Sequence, residues 1–152
     1  MIHPMNIRTI AVTVSAPRDT VFNFLADIEN LPRWAGEYCE RISLERGRWW
    51  ALTADGEQVV DIEASSGTGV IDLRAGPLPE RMNLTPIRVL TLSARRTLVI
   101  LTVIESTGQA ADAYERRYEI FLGAASSLLR RFSGGEVQAP SVSLQFAELG
   151  VN

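Results

Sequence analysis

The segment from Ala111 to Phe132 constrains this chain more than any other. Tyr114, Tyr118, Phe121, Leu122, Ala125, Leu129 and Phe132 recur there with the period of an α-helix and fall on one stripe. A helix with a single apolar stripe must lie along an apolar surface supplied by the rest of the chain. Asp112 and Arg116 stand one turn apart on its wet side. Gly123 costs roughly 1 kcal/mol of helix propensity relative to alanine. Together with Ala124 and Ala125 it predicts space beneath the middle of the helix. The helix should stop before Ser133-Gly134-Gly135.

What precedes the helix alternates with period 2. Ile10, Val12 and Val14 predict a half-buried first strand. Ser15-Ala16-Pro17 then opens a short helix, with Ser15 able to cap it and Val21, Phe24, Leu25 and Ile28 on its inner face. A second helical turn is expected over Asn30–Gly36 and carries Trp34. Six further strands follow, at Cys39–Glu45, Arg48–Ala54, Glu57–Ala64, Gly69–Ala75, Ile87–Ser93 and Thr97–Glu105. Asp55-Gly56 is the strongest hairpin signal between them. Val60, Ile62 and Ala64 oppose Glu57, Asp61 and Glu63, and Ile71, Leu73 and Ala75 oppose Asp72 and Arg74, so one sheet face is dry. The segment from Gly76 to Pro86 is longer than a hairpin needs and is expected to be a lid or a rim loop. Val142, Leu144 and Phe146 alternate again, as an added edge strand or a docking tail would.

Composition removes several functions. The 152 residues argue for one domain; we expect it over 1–132, with 133–152 as a tail. All 15 basic residues are arginine, so lysine Schiff-base chemistry is excluded. One cysteine, Cys39, and one histidine, His3, cannot build a zinc or iron–sulfur centre, and no metal or cofactor is expected. A net charge of -3 argues against a nucleic-acid partner. The longest apolar run, Leu98–Ile104, is far shorter than the ~20 residues of a membrane helix, and no stable membrane insertion is expected. With no apolar signal segment after Met1, a cytoplasmic location is expected.

Taken in order, Val12-Thr-Val-Ser-Ala-Pro17, Val21-Phe-Asn-Phe-Leu-Ala-Asp27, Asn30-Leu-Pro-Arg-Trp34, the Trp49-Trp50 pair and the helix 111–132 carry a resemblance. The chain resembles the START-like superfamily, also called SRPBCC or helix-grip, which includes polyketide cyclase/dehydrase-like and lipid-transfer proteins. The resemblance spans roughly residues 7–132. It implies an α+β helix-grip fold: a curved seven-stranded antiparallel sheet wrapped around a long C-terminal helix, with two short helices after strand 1. It also implies an apolar cavity between sheet and helix that takes lipids, polyketides or aromatic metabolites.

Nine residues are candidates for ligand contact: Trp34, Trp50, Ile62, Leu73, Met82, Arg88, Tyr114, Tyr118 and Leu122. Trp50 shares parity with Leu52 and Ala54, so it, rather than Trp49, is expected to face inward. Tyr114 and Tyr118 lie one turn apart on the apolar stripe and could orient a carbonyl, or act as core tyrosines. Arg88 shares parity with Leu90 and Leu92; it either enters the cavity to hold a carboxylate or enolate, or sits at an edge. Asp61, Glu63, Asp72 and Arg74 belong to the wet face. Cys39 has no histidine partner and reads as a half-buried filler. No catalytic set stands out. The expected function is therefore binding of a small hydrophobic molecule, with a cyclase/dehydrase-type enzyme or an interaction module built on the tail as alternatives, in a monomer or homodimer.

Overall fold

The computed structural model describes residues 5–106, 110–132 and 142–149. Strand β1 (Met5–Val14) leads into helix α1 (Arg18–Ala26), a 3-10 turn (Ile28–Asn30) and helix α2 (Leu31–Trp34). Pro17 occupies the N-cap of α1 and no side chain caps it, so Ser15 does not have the capping role expected of it. Six strands then run antiparallel, β2 (Arg41–Glu45), β3 (Arg48–Thr53), β4 (Gly56–Ser65), β5 (Val70–Leu78), β6 (Arg81–Ser93) and β7 (Arg96–Ile104). Helix α3 (Ala111–Phe132) follows, and β8 (Val142–Leu149) closes the described chain. The sheet order is β2-β3-β4-β5-β6-β7-β1-β8, so the first strand returns to pair with the seventh and β8 adds to its other edge. His3 and Ser133-Gly134-Gly135 lie outside the described residues.

Parity along each strand decides the core. Ile10, Val12 and Val14 of β1, Ile71 and Leu73 of β5, Ile87 and Val89 of β6, and Val99, Leu101 and Val103 of β7 are buried in one cluster on the concave face. Tyr114, Tyr118, Phe121, Ala124, Ala125, Leu128 and Leu129 of α3 are buried as well. Each large apolar side chain in that contact contributes about 1.5–3 kcal/mol. Helix α3 makes this contact chiefly with β1 and to a lesser extent with β7. There the Arg8 guanidinium stacks on the rings of Tyr118, 4.5 Å away, and Tyr114, 5.2 Å away, and donates to the Glu115 carboxylate at 2.8 Å. Asp72, Arg74 and Glu63 meet on the opposite face, with Arg74 3.2 Å from Glu63.

Two turns differ from the sequence expectation. The β3–β4 hairpin pairs Thr53 with Gly56, so Ala54 and Asp55 form the corner and Gly56 takes φ +100° as the first residue of the new strand. The 76–86 segment is no loop: β5 and β6 continue through it, with a register shift between Ala75 and Leu78. At Gly76 a Cβ would lie 1.9 Å from the Arg81 carbonyl oxygen, so only glycine lets the strands approach this closely.

Gly69 is the tightest backbone position with positive φ. It has φ +73°, its carbonyl accepts from the Val89 N–H at 2.9 Å, and a Cβ there would stand 2.3 Å from the Val89 oxygen. Gly69→Ala should therefore destabilise the fold by at least about 2 kcal/mol, through left-handed strain and the lost approach together. Urea unfolding measures this directly, and an unchanged midpoint would show that the β5–β6 start tolerates a side chain.

Candidate functional site: a cavity between sheet and helix

Where the sheet curves away from α3 it leaves a cavity of about 330 Å³. Thr53, Gln58, Leu73, Ala75, Asn83 and Thr85 line it from the concave face of β3 to β6, and Ala113, Arg117, Ile120 and Phe121 from α3. Glu37 and Tyr38, in the link between α2 and β2, border it as well. Ala54, Asp55, Arg116 and Glu119 are exposed lining residues and mark the mouth. Asp55 and Arg116 approach to 3.9 Å across it, an exposed pair of little energetic weight.

The interior is apolar on Leu73, Ala75, Ile120 and Phe121, with polar groups beside them. The Tyr38 hydroxyl donates to Gln58 Oε1 at 2.7 Å. Burial holds the Tyr38 phenol well above its ordinary range, an effect that neighbouring Cys39 adds to and Arg117 partly offsets. Arg117 is half-buried and donates to the Ile104 carbonyl at 2.8 Å, and burial lowers its pKa. Ser106 donates to Asn83 Oδ1, so Asn83 turns its amide NH2, a donor, away from that bond. A cation and an amide, among Thr53, Gln58 and Thr85 and beside the apolar stretch, suit a ligand with an oxygen acceptor. Among the described residues no cluster of three or more His, Cys, Asp or Glu could hold a metal ion, and no helix is long and apolar enough to cross a membrane.

No family model matches the sequence, and no curated protein matches it either. Solved structures do. An uncharacterised protein from Bacillus thuringiensis superposes with a TM-score of 0.68 at 16% identity, covering 84% of this chain and 98% of that one. A START superfamily protein from Mycobacterium smegmatis gives a TM-score of 0.60 at 14% identity, covering 84% and 97%. The Zhui aromatase/cyclase from Streptomyces sp. R1128 gives 0.58 at 22% identity, covering 87% and 99%. The chain has the START-like, helix-grip fold.

Within this START-like fold the nine sequence candidates separate. Leu73 lines the cavity. Ile62 is its cross-strand partner and packs against the core without lining the cavity. Trp34 is buried at 1% exposure and borders a second space behind the first. Tyr114 and Tyr118 are core residues under the Arg8 guanidinium and do not reach the cavity; the Tyr114 hydroxyl donates to the Val103 carbonyl at 3.4 Å. Leu122 packs against the core from the side.

Trp50, Met82 and Arg88 are corrections. Ala51, fully buried, is the inward residue of β3, so Trp50 points to the convex face, opposite Val59. In β6 the inward positions are Asn83, Thr85, Ile87 and Val89, which puts Met82 and Arg88 outside. The residues missed are Glu37, Tyr38, Gln58, Asn83, Thr85 and Arg117. Gln58 shares parity with Val60 and Ile62, and Arg117 stands one turn after Ala113, so the period marked both. Asn83 and Thr85 lie in the 76–86 segment, whose prolines suggest a loop where β6 runs.

Cys39 lies beside Tyr38, fully buried, with its thiol donating to the Arg41 carbonyl at 3.2 Å. Burial pushes this thiol up to about 11 from 9.0. A raised folded-state pKa means the unfolded chain releases its proton first. Stability is thus complete below about pH 9 and falls as pH rises through 11, by about 2–3 kcal/mol for the thiol alone. Urea midpoints between pH 8 and 11.5 should decline for the native chain and decline less for Cys39→Ala; parallel curves would remove the thiol from the alkaline transition.

Proposed function

We propose that this chain binds a compact, ring-bearing hydrophobic molecule with a carbonyl or phenolic oxygen, held between the sheet and α3. The cavity supports this reading: about 330 Å³, with Leu73, Ala75, Ile120 and Phe121 as an apolar stretch beside the amide of Asn83 and the guanidinium of Arg117. That volume stands near the lower end of the roughly 300–1,000 Å³ usual for small-molecule sites. It favours a fused-ring or aromatic ligand over a long-chain lipid.

A second reading is cyclisation or aromatisation of a polyketide-like chain in the same cavity. It draws support from the proximity of Arg117 to Tyr38 and from the likeness to an aromatase/cyclase. The Glu37 carboxylate on the cavity wall would take the α-proton, the guanidinium would stabilise the enolate as it attacks a ketone carbonyl, and the phenol, protonated at neutral pH, would give its proton to the resulting alkoxide. Tyr38→Phe separates the two: a binder loses affinity only a few-fold, whereas a cyclase loses turnover.

The direct test uses acetylnaphthalene, a two-ring ketone, in calorimetric titration. Ala75→Trp fills the cavity from β5 and should weaken binding at least about tenfold while keeping the unfolding midpoint, since it occupies a void. Arg88→Ala, on the convex face, should leave affinity unchanged. Equal binding by native chain and Ala75→Trp would move the ligand out of this cavity.

A further inference from the structure

Strand β2 is one edge of the sheet, and among the described residues only β3 pairs with it. The two-residue turn between them sets its backbone geometry. Arg46 and Gly47 form that turn, both at positive φ, and it makes Glu45 and Arg48 the hydrogen-bonded pair that closes the hairpin. Counting back in steps of two, Ser43 and Arg41 also direct their N–H and C=O groups at β3, whereas Ile42 and Leu44 direct theirs off the edge of the sheet. Side chains alternate too. Ile42 and Leu44 share the inner face with Ala51 and Trp49, their partners on β3, and Arg41, Ser43 and Glu45 share the outer face. Leu44 is 57% exposed although it stands beside the half-buried Trp49. Arg41 and Glu45 are exposed, and neither forms an ion pair among the described residues, even Glu45 with Arg48 across the hairpin.

The segment Arg41-Ile-Ser-Leu-Glu45 is complementary to itself. An antiparallel neighbour must set outward-bonding residues against outward-bonding residues, which leaves few registers. With Ile42 opposite Ile42, Leu44 falls opposite Glu40 and Arg41 opposite Ser43. With Leu44 opposite Leu44, Ile42 falls opposite Arg46 and Glu45 opposite Ser43. Centred on Ser43, each Ile42 meets a Leu44 and each Arg41 meets a Glu45. We propose that β2 is a dimerisation edge, where a second copy of this chain pairs antiparallel about a two-fold axis at Ser43 and joins the two sheets into one. The register supplies four backbone hydrogen bonds, two for each of the two Ile42–Leu44 pairs. It moves Leu44 out of solvent into a row with Trp49 on one side and the partner's Ile42 on the other. Arg41 and Glu45 take the non-hydrogen-bonded positions, where facing side chains approach most closely. Like charges there would be destabilising, so this pair sets register and partner more than affinity. An interface one strand wide belongs to the small, weak class, so pairing should follow concentration. The proposal is independent of what the main cavity binds.

Sedimentation equilibrium of the full chain over rising concentration is the test. Mass should climb from one chain to two, with a dissociation constant in the micromolar range or weaker, and stop there. Leu44→Pro removes an N–H that β3 does not use, and Ser43 before it is already extended. The unfolding midpoint should therefore hold while the dissociation constant rises at least about tenfold. Arg41→Glu leaves two acids on the edge, and Glu45→Arg leaves two arginines. Each variant alone should stay a single chain where the native protein is paired. An equimolar mixture of the two should regain the dimer, as should the double substitution, an outcome that a role for either residue within its own chain would not produce. A native chain that keeps single-chain mass up to its solubility limit overturns the proposal; Arg41 and Glu45 then serve only to keep other strands off this edge. A dimer indifferent to Leu44→Pro and to both charge reversals is built elsewhere and overturns it too. So does mass that grows past two chains, as head-to-tail pairing of β2 with β8 would give.

Discussion

Everything here depends on how one helix covers one face of a sheet. A sheet of this kind exposes a row of valines and isoleucines that only a second layer can bury, and α3 is the one long helix among the described residues. It is fastened along one side. Arg8 of β1 lies over the Tyr114 and Tyr118 rings and pairs with Glu115, a grip that holds the first two turns of α3 to the first strand. The same partnership holds Glu115 below the usual carboxylate range and raises Arg8, so it persists across neutral pH. Because α3 follows β1 and β7, the strands from β3 to β6 curve past it without full contact. The cavity is what that one-sided fastening leaves.

Stability alone would fill such a gap with leucine. Burying polar groups costs free energy unless each finds a partner. This cavity nevertheless carries Tyr38, Gln58, Asn83, Thr85 and Arg117 on its wall. Several are tied back to the protein, Tyr38 to Gln58, Asn83 to Ser106 and Arg117 to the Ile104 carbonyl. Those ties offset part of that cost and fix how each group is oriented on the wall.

The period of the sequence reveals the fold better than the site. Alternation in β4 and β5 assigns their inner faces correctly because charged and apolar residues interleave cleanly there. It misleads in β3, where Trp50 lies outside, opposite Val59, while Trp49 shares the inner face with the fully buried Ala51. Size is a poor guide when adjacent residues are both tryptophan. In β6 a proline hides half a strand. Pro86 lacks an N–H and argues against an interior strand, yet β7 pairs with β6 only from Ile87 onward, so Pro86 has a free side and pairs with Asp72 on the other. Reading that strand as starting at Ile87 conceals Asn83 and Thr85, and taking Arg88 as inward inverts the rest. Tyr38 and Glu37 sit in a connector, where no period exists to show which way a side chain points.

The small residues at the middle of α3 have a more specific role than leaving space beneath the helix. Ala124 and Ala125 are buried, at 2% and 0% exposure, so part of that face is closely packed. Gly123 looks instead toward Glu37. The helix thus carries two stripes rather than one. Tyr114, Tyr118, Phe121, Ala125 and Leu128 grip the core. Ala113, Arg117, Ile120, Ala124 and Ser127, spaced by alternating steps of four and three, border first the main cavity and then the second space. Both stripes obey the same helical period, which is why the stronger apolar one masks the other in the sequence. The second stripe lies beside the first, so the space along it leaves unbroken the apolar contact that holds the fold together.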